Sequence, residues 1–391
     1  MKGSFIGVSL AAALMAFAAG CAYVGGVMVS RKAIEPSVTA KPFGTTKDGQ
    51  EVRIYTLKGA GGMSMDVLDW GGKVVRLYAP DRDGNLADIT LGFNDVAGYE
   101  AHDPFFGSLV GRYGNRIANG TFTLDGKAYA LPVNNAPGGL PCSLHGGPRG
   151  FESYVGKAEP LREGKNVGLR MTIVSPDGDQ GFPGTLRASV TYWLTEDNVW
   201  RIAYQAKTDK PTPVNLTQHI YFNLKGEGEG DILDHDLTLF AERMTPVNKG
   251  LIPTGVIVPV EGTPFDFRTP RRIGERINAD DEQLRFGGGY DHNYVLDNPV
   301  GRLVKAAEVH EQTTGRRIEV WTTEPGVQFY TANHVTDAMP GKQGKSLRRH
   351  AGLALETQHA PDSPNQPIFP STILRPNRLH KSMTEFRFGT F

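Results

Sequence analysis

Two stretches carry residues suited to proton transfer, and the first surrounds Glu356. An apolar run at residues 353–355, typical of a buried strand, precedes it, and a proline-containing turn follows at residues 361–365. A carboxylate at the end of a buried strand is costly to desolvate without partners. Strand ends beside loops are common places for functional groups, because the scaffold fixes the side chain while the loop stays open to ligand. Glu356 is therefore a candidate functional carboxylate, with a salt-bridged surface glutamate as the alternative.

The second stretch, residues 215–224, has polar residues within an otherwise apolar strand. Strand alternation places His219 and Tyr221 on one face together with Thr217, while apolar residues dominate the other face. Buried polar atoms need hydrogen-bond partners. A face that carries a histidine, a tyrosine and a threonine is therefore either hydrated or functional.

Three shorter stretches add polar side chains in glycine-rich settings. Asn115 and Arg116 lie among the glycines of residues 111–120, His145 precedes two glycines, and Asp291 enters an apolar strand shortly after three glycines. Glycines allow tight turns, and the planar guanidinium of arginine suits vicinal hydroxyls as well as anions. Each stretch alone is also consistent with a turn, a surface arginine, a loop-bonding histidine or a capping aspartate.

Several other classes of function lack support in the sequence. Lys+Arg and Asp+Glu both number 42, so no net charge favours nucleic acid as a partner. Only two cysteines, Cys21 and Cys142, are present, and no His-Glu-x-x-His motif occurs, so a hydrolytic zinc site has no ligands of the usual type. No Gly-x-Ser-x-Gly motif marks a serine nucleophile.

The elements that must position these residues are predicted to be mostly strands. Apolar residues alternate over residues 186–194 and 200–206, with a hairpin turn at 195–198. Similar strands are predicted at residues 52–57, 168–174, 236–240, 317–321, 327–332 and 383–388. Only residues 95–101 and 275–285 have helical patterns, and both are short. Because strands do not alternate with amphipathic helices, we expect one large antiparallel β-sandwich over residues 43–391, an all-β fold.

The N-terminal residues predict export or tethering. Lys2 precedes an apolar run over residues 5–19, and residues 18–21 resemble a bacterial lipobox ending in Cys21, with Ala18 where leucine is usual. We expect a signal peptide at residues 1–21, lipidation of Cys21, a linker at residues 22–42 and a periplasmic, membrane-anchored protein. Two alternatives are ordinary secretory cleavage and an uncleaved membrane span over residues 5–29.

Six short motifs together resemble one known family. They occur in chain order at residues 114–117, 144–147, 215–224, 290–296, 325–328 and 355–358. From about residue 43 to the C-terminus, this set is similar to the aldose 1-epimerases, also called galactose mutarotases. The resemblance implies a large antiparallel β-sandwich that interconverts the anomers of free aldoses such as glucose and galactose. It also implies a monosaccharide as partner and neither a metal nor an organic cofactor.

The resemblance also implies roles for individual residues. Glu356 matches the catalytic base of the family and His219 matches its catalytic acid. The positions implied to bind sugar are Asn115, Arg116, His145, Asp291 and Gln328, and Tyr221 joins them as a candidate on the same strand face as His219. Gln218 stands where the family usually has asparagine.

A carboxylate and an imidazolium on opposite sides of a hemiacetal could perform both proton transfers that anomer exchange requires. Three alternatives remain at this point. A glycoside hydrolase would use Glu356 and Asp291 as a carboxylate pair. A non-catalytic carbohydrate-binding protein would use the same scaffold without chemistry, and an epimerase of sugar phosphates would need further cations, for which Arg112 is the nearest candidate in sequence.

Overall fold

The computed structural model describes Met1 and residues 23–24, 27–28, 34–102, 105–298, 301–336 and 339–391. The chain forms two compact units, Met1–Ile34 and Glu35–Phe391. In the first unit, β1 (Tyr23–Val24) pairs with β2 (Val27–Met28) in an antiparallel hairpin. Cys21 and almost all of the predicted signal peptide lie outside the described residues. No helix in the described part of the chain has the length and apolar character of a membrane span.

The second unit is built mainly of strands. Its first strands are β3 (Ser37–Thr45), β4 (Glu51–Lys58), β5 (Ser64–Leu68), β6 (Val74–Pro80), β7 (Leu86–Asp88), β8 (Ser108–Val110), β9 (Arg116–Ala118), β10 (Thr121–Leu124), β11 (Lys127–Ala130) and β12 (Cys142–Leu144). The next are β13 (Lys157–Glu163), β14 (Asn166–Ser175), β15 (Leu186–Leu194), β16 (Val199–Thr208), β17 (Thr212–Pro213), β18 (Thr217–His219), β19 (Asp236–Leu239), β20 (Arg243–Thr245), β21 (Val258–Pro259) and β22 (Arg271–Arg272). The last are β23 (Asp291–Val295), β24 (Val304–His310), β25 (Arg316–Thr322), β26 (Gly326–Tyr330), β27 (Ala354–Gln358), β28 (Ile373–Leu374) and β29 (His380–Thr390).

Helices are few and short among the described residues. The α-helices are α1 (Val96–His102) and α2 (Glu282–Gly287). The 3-10 helices are Pro137–Gly139, Phe151–Ser153, Asp179–Gly181, Ile273–Glu275 and Ser363–Asn365. The Asp281 side chain accepts hydrogen bonds from the backbone N–H groups of Gln283 and Leu284, which caps α2 at its N-terminus.

Three larger sheets organise the strands, and all the strand pairs described in them are antiparallel. A nine-stranded sheet has the order β13-β14-β15-β16-β29-β25-β24-β19-β22. One five-stranded sheet has the order β3-β4-β5-β6-β7 and the other has β21-β20-β23-β26-β27. Four two-stranded pairs complete the second unit: β10-β11, β9-β12, β17-β28 and β8-β18.

The core lies where the apolar faces of these sheets meet. In β15, buried and partly exposed residues alternate from Leu186 to Leu194, as the sequence predicts for a strand with one covered face. One apolar cluster contains inward side chains from all three sheets: Leu57, Met65, Leu169, Trp200, Phe329 and Leu355. The expected all-β antiparallel sandwich with few short helices is confirmed.

Two boundaries differ from the sequence expectations. The predicted linker was wrong at its end, because residues 37–42 belong to β3, which pairs with β4 from Ser37 onward. This strand is a sheet edge with mostly exposed side chains, and Pro42 lies beside a register shift, so it lacks the alternation that reveals a strand. The helix expected over residues 275–285 is instead a 3-10 turn at Ile273–Glu275 and, after Asp281, the short α2.

Substitutions within one strand should separate core from surface. Leu169 in β14 is fully buried, whereas Val174 in the same strand is 44% exposed. Leu169→Ala should lower the free energy of unfolding by about 2–5 kcal/mol, because it leaves a cavity in the core. Urea denaturation followed by circular dichroism measures the change, and Val174→Ala is the matched control, with a change of about 0.5 kcal/mol or less. Equal losses in the two variants would contradict the assigned faces of β14.

Candidate active site

One face of the β23-β26-β27 ladder carries the acidic residues of the site. Glu356 in β27 pairs with Gln328 in β26, and Tyr330 in β26 pairs with Asp291 in β23. Because side chains alternate along each strand and opposed residues share a face, these four side chains lie on the same side of the sheet. The other side faces the core through residues such as Leu355.

A separate strand pair brings the histidine. His219 ends β18, which pairs with β8 so that His219 is opposite Ser108. Leu216 and Ile220 belong to the main apolar core, as the sequence alternation predicts. His219 and Tyr221 therefore turn away from that core, and both line the same cavity.

The β9-β12 pair supplies Asn115, Arg116 and His145. Arg116 begins β9 and is opposite Leu144, the last residue of β12. Asn115 and His145 flank this ladder with positive φ angles of 63° and 51°. They bond each other twice: the His145 backbone N–H donates to the Asn115 carbonyl oxygen at 3.0 Å, and the Asn115 N–H donates to His145 Nδ1 at 3.1 Å.

These elements enclose a cavity of about 430 Å³, a size typical of small-molecule sites. All the predicted site residues except Gln328 line it. The lining residues are Phe105, Asn115, Arg116, Asn135, Ala136, Pro137, Leu144, His145, His219, Tyr221, Leu251, Asp291, Tyr330, His334, Val335 and Glu356. Segments more than 200 residues apart in the sequence therefore meet at one place.

Gln328 is buried beside the cavity, on the strand face that carries Glu356. Its Nε2 donates a hydrogen bond to Asp291 Oδ1 at 2.7 Å. The other carboxylate oxygen of Asp291 lies 3.7 Å from Nη1 of Arg116. Gln328 thus orients Asp291, which in turn holds Arg116, and its direct contact with the sugar stays a prediction.

Glu356 and His219 form the centre of the cavity. Nε2 of His219 lies 3.6 Å from Oε1 of Glu356, and both residues are buried. Burial raises the pKa of Glu356 well above its ordinary value, and the nearby charge of Asp291 adds to the rise. Burial lowers the pKa of His219 to about 4. Both changes favour the uncharged forms, a carboxylic acid beside a neutral imidazole.

The hydrogen bond to the imidazole of His145 determines whether this residue can bind a metal. Ligand atoms of His145, His219 and Glu356 lie within 4.8 Å of one another, a grouping that could hold a metal ion. However, Nδ1 of His145 accepts the Asn115 N–H, so the ring proton is on Nε2 and neither nitrogen has a free lone pair. Burial also lowers the pKa of His145 well below its ordinary value. His145 is therefore a neutral hydrogen-bond donor in the cavity that it lines, and the donor set does not fit a metal.

Sequence reasoning missed several residues of the cavity wall. Tyr330 lies two residues after Gln328 on the same strand face, so strand alternation could have found it. Asn135 accepts a hydrogen bond from Nε of Arg116 at 3.4 Å, and His334 follows β26. Phe105 is in a connecting segment that has no periodic signal. Arg112, considered for a phosphate, is buried elsewhere and donates to Ser175 and to nearby backbone carbonyls.

The fold and the cavity together define an acid–base enzyme for a small ligand rich in hydroxyl groups. The carboxyl–imidazole pair supplies proton transfer. Around it, the guanidinium of Arg116, the carboxylate of Asp291 and the N–H of His145 offer the donors and acceptors that hydroxyl groups require.

Comparison with known proteins agrees with this class. The family model for aldose 1-epimerase matches residues 53–387. The chain is 42% identical to the galactose mutarotase of Rattus norvegicus over 354 residues, covering 90% of this chain and 99% of that protein. It is 38% identical to the aldose 1-epimerase of Escherichia coli K12 over 343 residues, covering 87% of this chain and 96% of the relative.

A solved structure extends the agreement to the fold. The galactose 1-epimerase of Lactobacillus acidophilus superposes with a TM-score of 0.78 at 26% sequence identity, covering 91% of this chain and 99% of that one. The chain belongs to the aldose 1-epimerase family and is an isomerase.

The charge of Asp291 should be visible in the titration of Glu356. Because that charge raises the pKa of Glu356, Asp291→Asn should lower it toward its ordinary value. A carboxyl ¹³C NMR titration of the ligand-free enzyme measures the shift. Asp125→Asn, which removes an exposed carboxylate paired with Arg375, is the control and should leave Glu356 unchanged. An unmoved or higher pKa in Asp291→Asn would show that Asp291 does not act on Glu356.

Proposed function

We propose that this enzyme interconverts the α and β anomers of free aldohexoses such as galactose and glucose, with Glu356 as the base and His219 as the acid. The observation that carries the proposal is the 3.6 Å contact between the buried carboxyl and imidazole groups at the centre of the cavity. The galactose mutarotase and aldose 1-epimerase relatives support this choice of substrate class.

The reaction follows from this arrangement. Glu356 removes the proton from the C1 hydroxyl, the C1–O1 bond becomes a carbonyl, and the bond between C1 and the ring oxygen breaks. His219 delivers its proton to the ring oxygen, which leaves an open-chain aldehyde, a neutral glutamic acid and a neutral imidazole. Rotation about the C1–C2 bond exposes the other carbonyl face, and the reverse transfers close the ring as the opposite anomer. Each positioned group typically contributes about 100- to 10,000-fold.

Burial favours the protonation states that ring opening leaves on the pair. The uncharged pair has the same number of protons as the carboxylate–imidazolium pair, so the two forms differ only in where one proton resides. The pKa of Glu356 is raised and that of His219 is lowered by burial, which favours the uncharged pair that accompanies the open-chain aldehyde. A pair that shares one proton titrates as a unit, and activity should need that proton to stay on the pair.

The remaining polar side chains position the sugar. Arg116 is held by Asp291, at 3.7 Å, and by Asn135, at 3.4 Å, so its guanidinium group keeps one orientation toward the cavity. His145 adds a neutral N–H donor whose tautomer is fixed by Asn115. Holding the hydroxyls fixes C1 between base and acid, and such orientation is itself catalytic.

The alternatives from the sequence are less consistent with the cavity. A glycoside hydrolase needs two carboxyl groups as acid and base or nucleophile. Here Asp291 is engaged by Gln328 and Arg116, and the ionisable partner of Glu356 is His219. A non-catalytic sugar-binding protein needs no acid–base pair, whereas here Oε1 of Glu356 lies 3.6 Å from Nε2 of His219 in the cavity.

Replacing the base tests the mechanism. Glu356→Gln keeps the size of the side chain but cannot accept the proton, so kcat for mutarotation should fall by about 100- to 10,000-fold. Polarimetry on freshly dissolved α-galactose and α-glucose measures the rate, and circular dichroism checks the fold. Glu163→Gln is the same change at an exposed position of β13 and should keep full activity. A fully active Glu356→Gln enzyme would rule out Glu356 as the base.

We further propose that the enzyme is exported to the periplasm and tethered to a membrane through a lipid on Cys21. The support is the sequence of residues 1–21, with its basic start, apolar run and lipobox-like end. The compact second unit begins at Glu35, so the proposed leader is separate in sequence from the enzymatic unit.

Mass spectrometry of the N-terminal peptide from bacterial membranes tests the tether. Wild-type protein should begin at Cys21 and carry the mass of a diacylglyceryl modification, whereas Cys21→Ala should lack that modification. Cys142→Ala is the matched control and should remain lipidated, because Cys142 is a buried free thiol of the folded unit. An intact, unmodified N-terminus on the wild-type protein would contradict lipidation, and cleavage at another residue would instead indicate ordinary secretory processing.

A further inference from the structure

Among the described residues, His219 has no neighbour that supplies the hydrogen bond that commonly fixes a catalytic imidazole. The orientation and tautomer of such a ring are usually set by a carbonyl or carboxylate on its second nitrogen. In the described part of the chain, Nδ1 of His219 is buried and has no partner beyond the backbone of its own residue. Within the same residues, its Nε2 has the 3.6 Å approach to Glu356. Hydrogen bonds to other described residues therefore do not hold the plane of this ring.

Other rings enclose the imidazole instead. Tyr221 stacks on it with the centroids 4.8 Å apart and the planes 22° from parallel. Phe105 lies 6.0 Å away, also at 22°. His145 and Tyr330 approach in T-shaped geometry, with centroids at 5.2 Å and 6.2 Å. Two nearly parallel rings and two edge contacts leave the imidazole little freedom to rotate.

The segment that carries Phe105 is docked on the His219 strand. The Gly107 N–H donates to the His219 carbonyl oxygen at 2.9 Å, and the Ser108 N–H donates to the Phe105 carbonyl oxygen at 3.0 Å. Phe105 itself has a φ angle of 60°, a conformation that is rare for a bulky residue. Such strain persists when the surroundings fix it and is common at functional sites.

We infer that Phe105 is a positioning residue for His219: together with Tyr221, it confines the imidazole so that Nε2 stays directed at the cavity. This inference rests on the proposed role of His219 as the acid. Phe105 also contacts His145, with centroids 4.7 Å apart, so one side chain contacts two of the three histidines that line the cavity. Misplacing a catalytic group by about 1 Å can cost about 100-fold in rate.

The rings also act on the charge of His219. The groups that face it are Glu356, at 3.6 Å, together with the neutral His145 and the charges of Asp291 and Arg116. Asp291 favours the imidazolium, whereas burial and Arg116 oppose it. Removing the Phe105 ring would admit water to the imidazole and reduce the effect of burial. The pKa of His219 should then rise from about 4 toward its ordinary value.

Three variants test the inference. Phe105→Leu removes the ring, and kcat should fall by about 10- to 100-fold with a smaller change in KM, because orientation and not uniform binding is lost. Phe105→Tyr keeps the ring and should stay within about threefold of wild type. Phe240→Leu makes the same substitution at an exposed position and should change neither constant.

A second measurement keeps this test independent of the reaction. An imidazole ¹⁵N NMR titration of the ligand-free Phe105→Leu enzyme should show the pKa of His219 rising and its ring signals changing, with Phe105→Tyr close to wild type. Wild-type kcat in Phe105→Leu, or an unchanged titration of His219, would overturn the positioning role. A changed titration combined with an active His219→Gln enzyme would instead remove His219 as the acid and leave the ring packing intact.

Discussion

The active site depends on the burial of one carboxyl group against one imidazole. Glu356 and His219 approach to 3.6 Å in a place with little access to water. Desolvation disfavours the charge on each group, which raises one pKa and lowers the other. The same desolvation places a proton shared by the two groups preferentially on the carboxyl group. The β26-β27 ladder carries Glu356 and the β8-β18 pair carries His219, and together they position this contact.

Burying so many polar groups is costly, and the surrounding network offsets only part of that cost. Gln328 bonds Asp291, Asp291 pairs with Arg116, and Asn115 fixes His145. Other polar atoms remain without partners among the described residues, including Oε2 of Glu356 and Nδ1 of His219. Unsatisfied buried groups destabilise a fold by about 1–3 kcal/mol each, so these two atoms in the cavity are consistent with a site shaped for ligand more than for stability.

Backbone conformation around the cavity also shows features that are unfavourable for stability. Asn115, His145 and Phe105 all have positive φ angles, and all three line the cavity. Asparagine tolerates this region and histidine adopts it more often than most residues, whereas phenylalanine rarely does. The strained positions lie next to strands or backbone hydrogen bonds, such as the bond from the Gly107 N–H to the His219 carbonyl oxygen. The regular sheets thus stabilise a few irregular residues that carry the chemistry.

The sequence alone predicted the fold class, most strands and the candidate pair Glu356 and His219, which lie 3.6 Å apart in the structure. Alternation along a strand is a local property, so β15 and the face shared by His219 and Tyr221 could be predicted without knowing what they pack against. The edge strand β3 escaped prediction because its mostly exposed side chains show no such alternation.

Only the tertiary structure decided how the site residues are arranged. The hydrogen bond from Gln328 to Asp291, for example, forms only because β23 and β26 pair. Phe105 has no pattern that marks it, and it reaches His219 only because β8 pairs with β18. Tautomers and pKa shifts were equally inaccessible, since they depend on burial and on neighbours distant in sequence. Local alternation specifies faces, whereas pairing between distant strands specifies which faces meet.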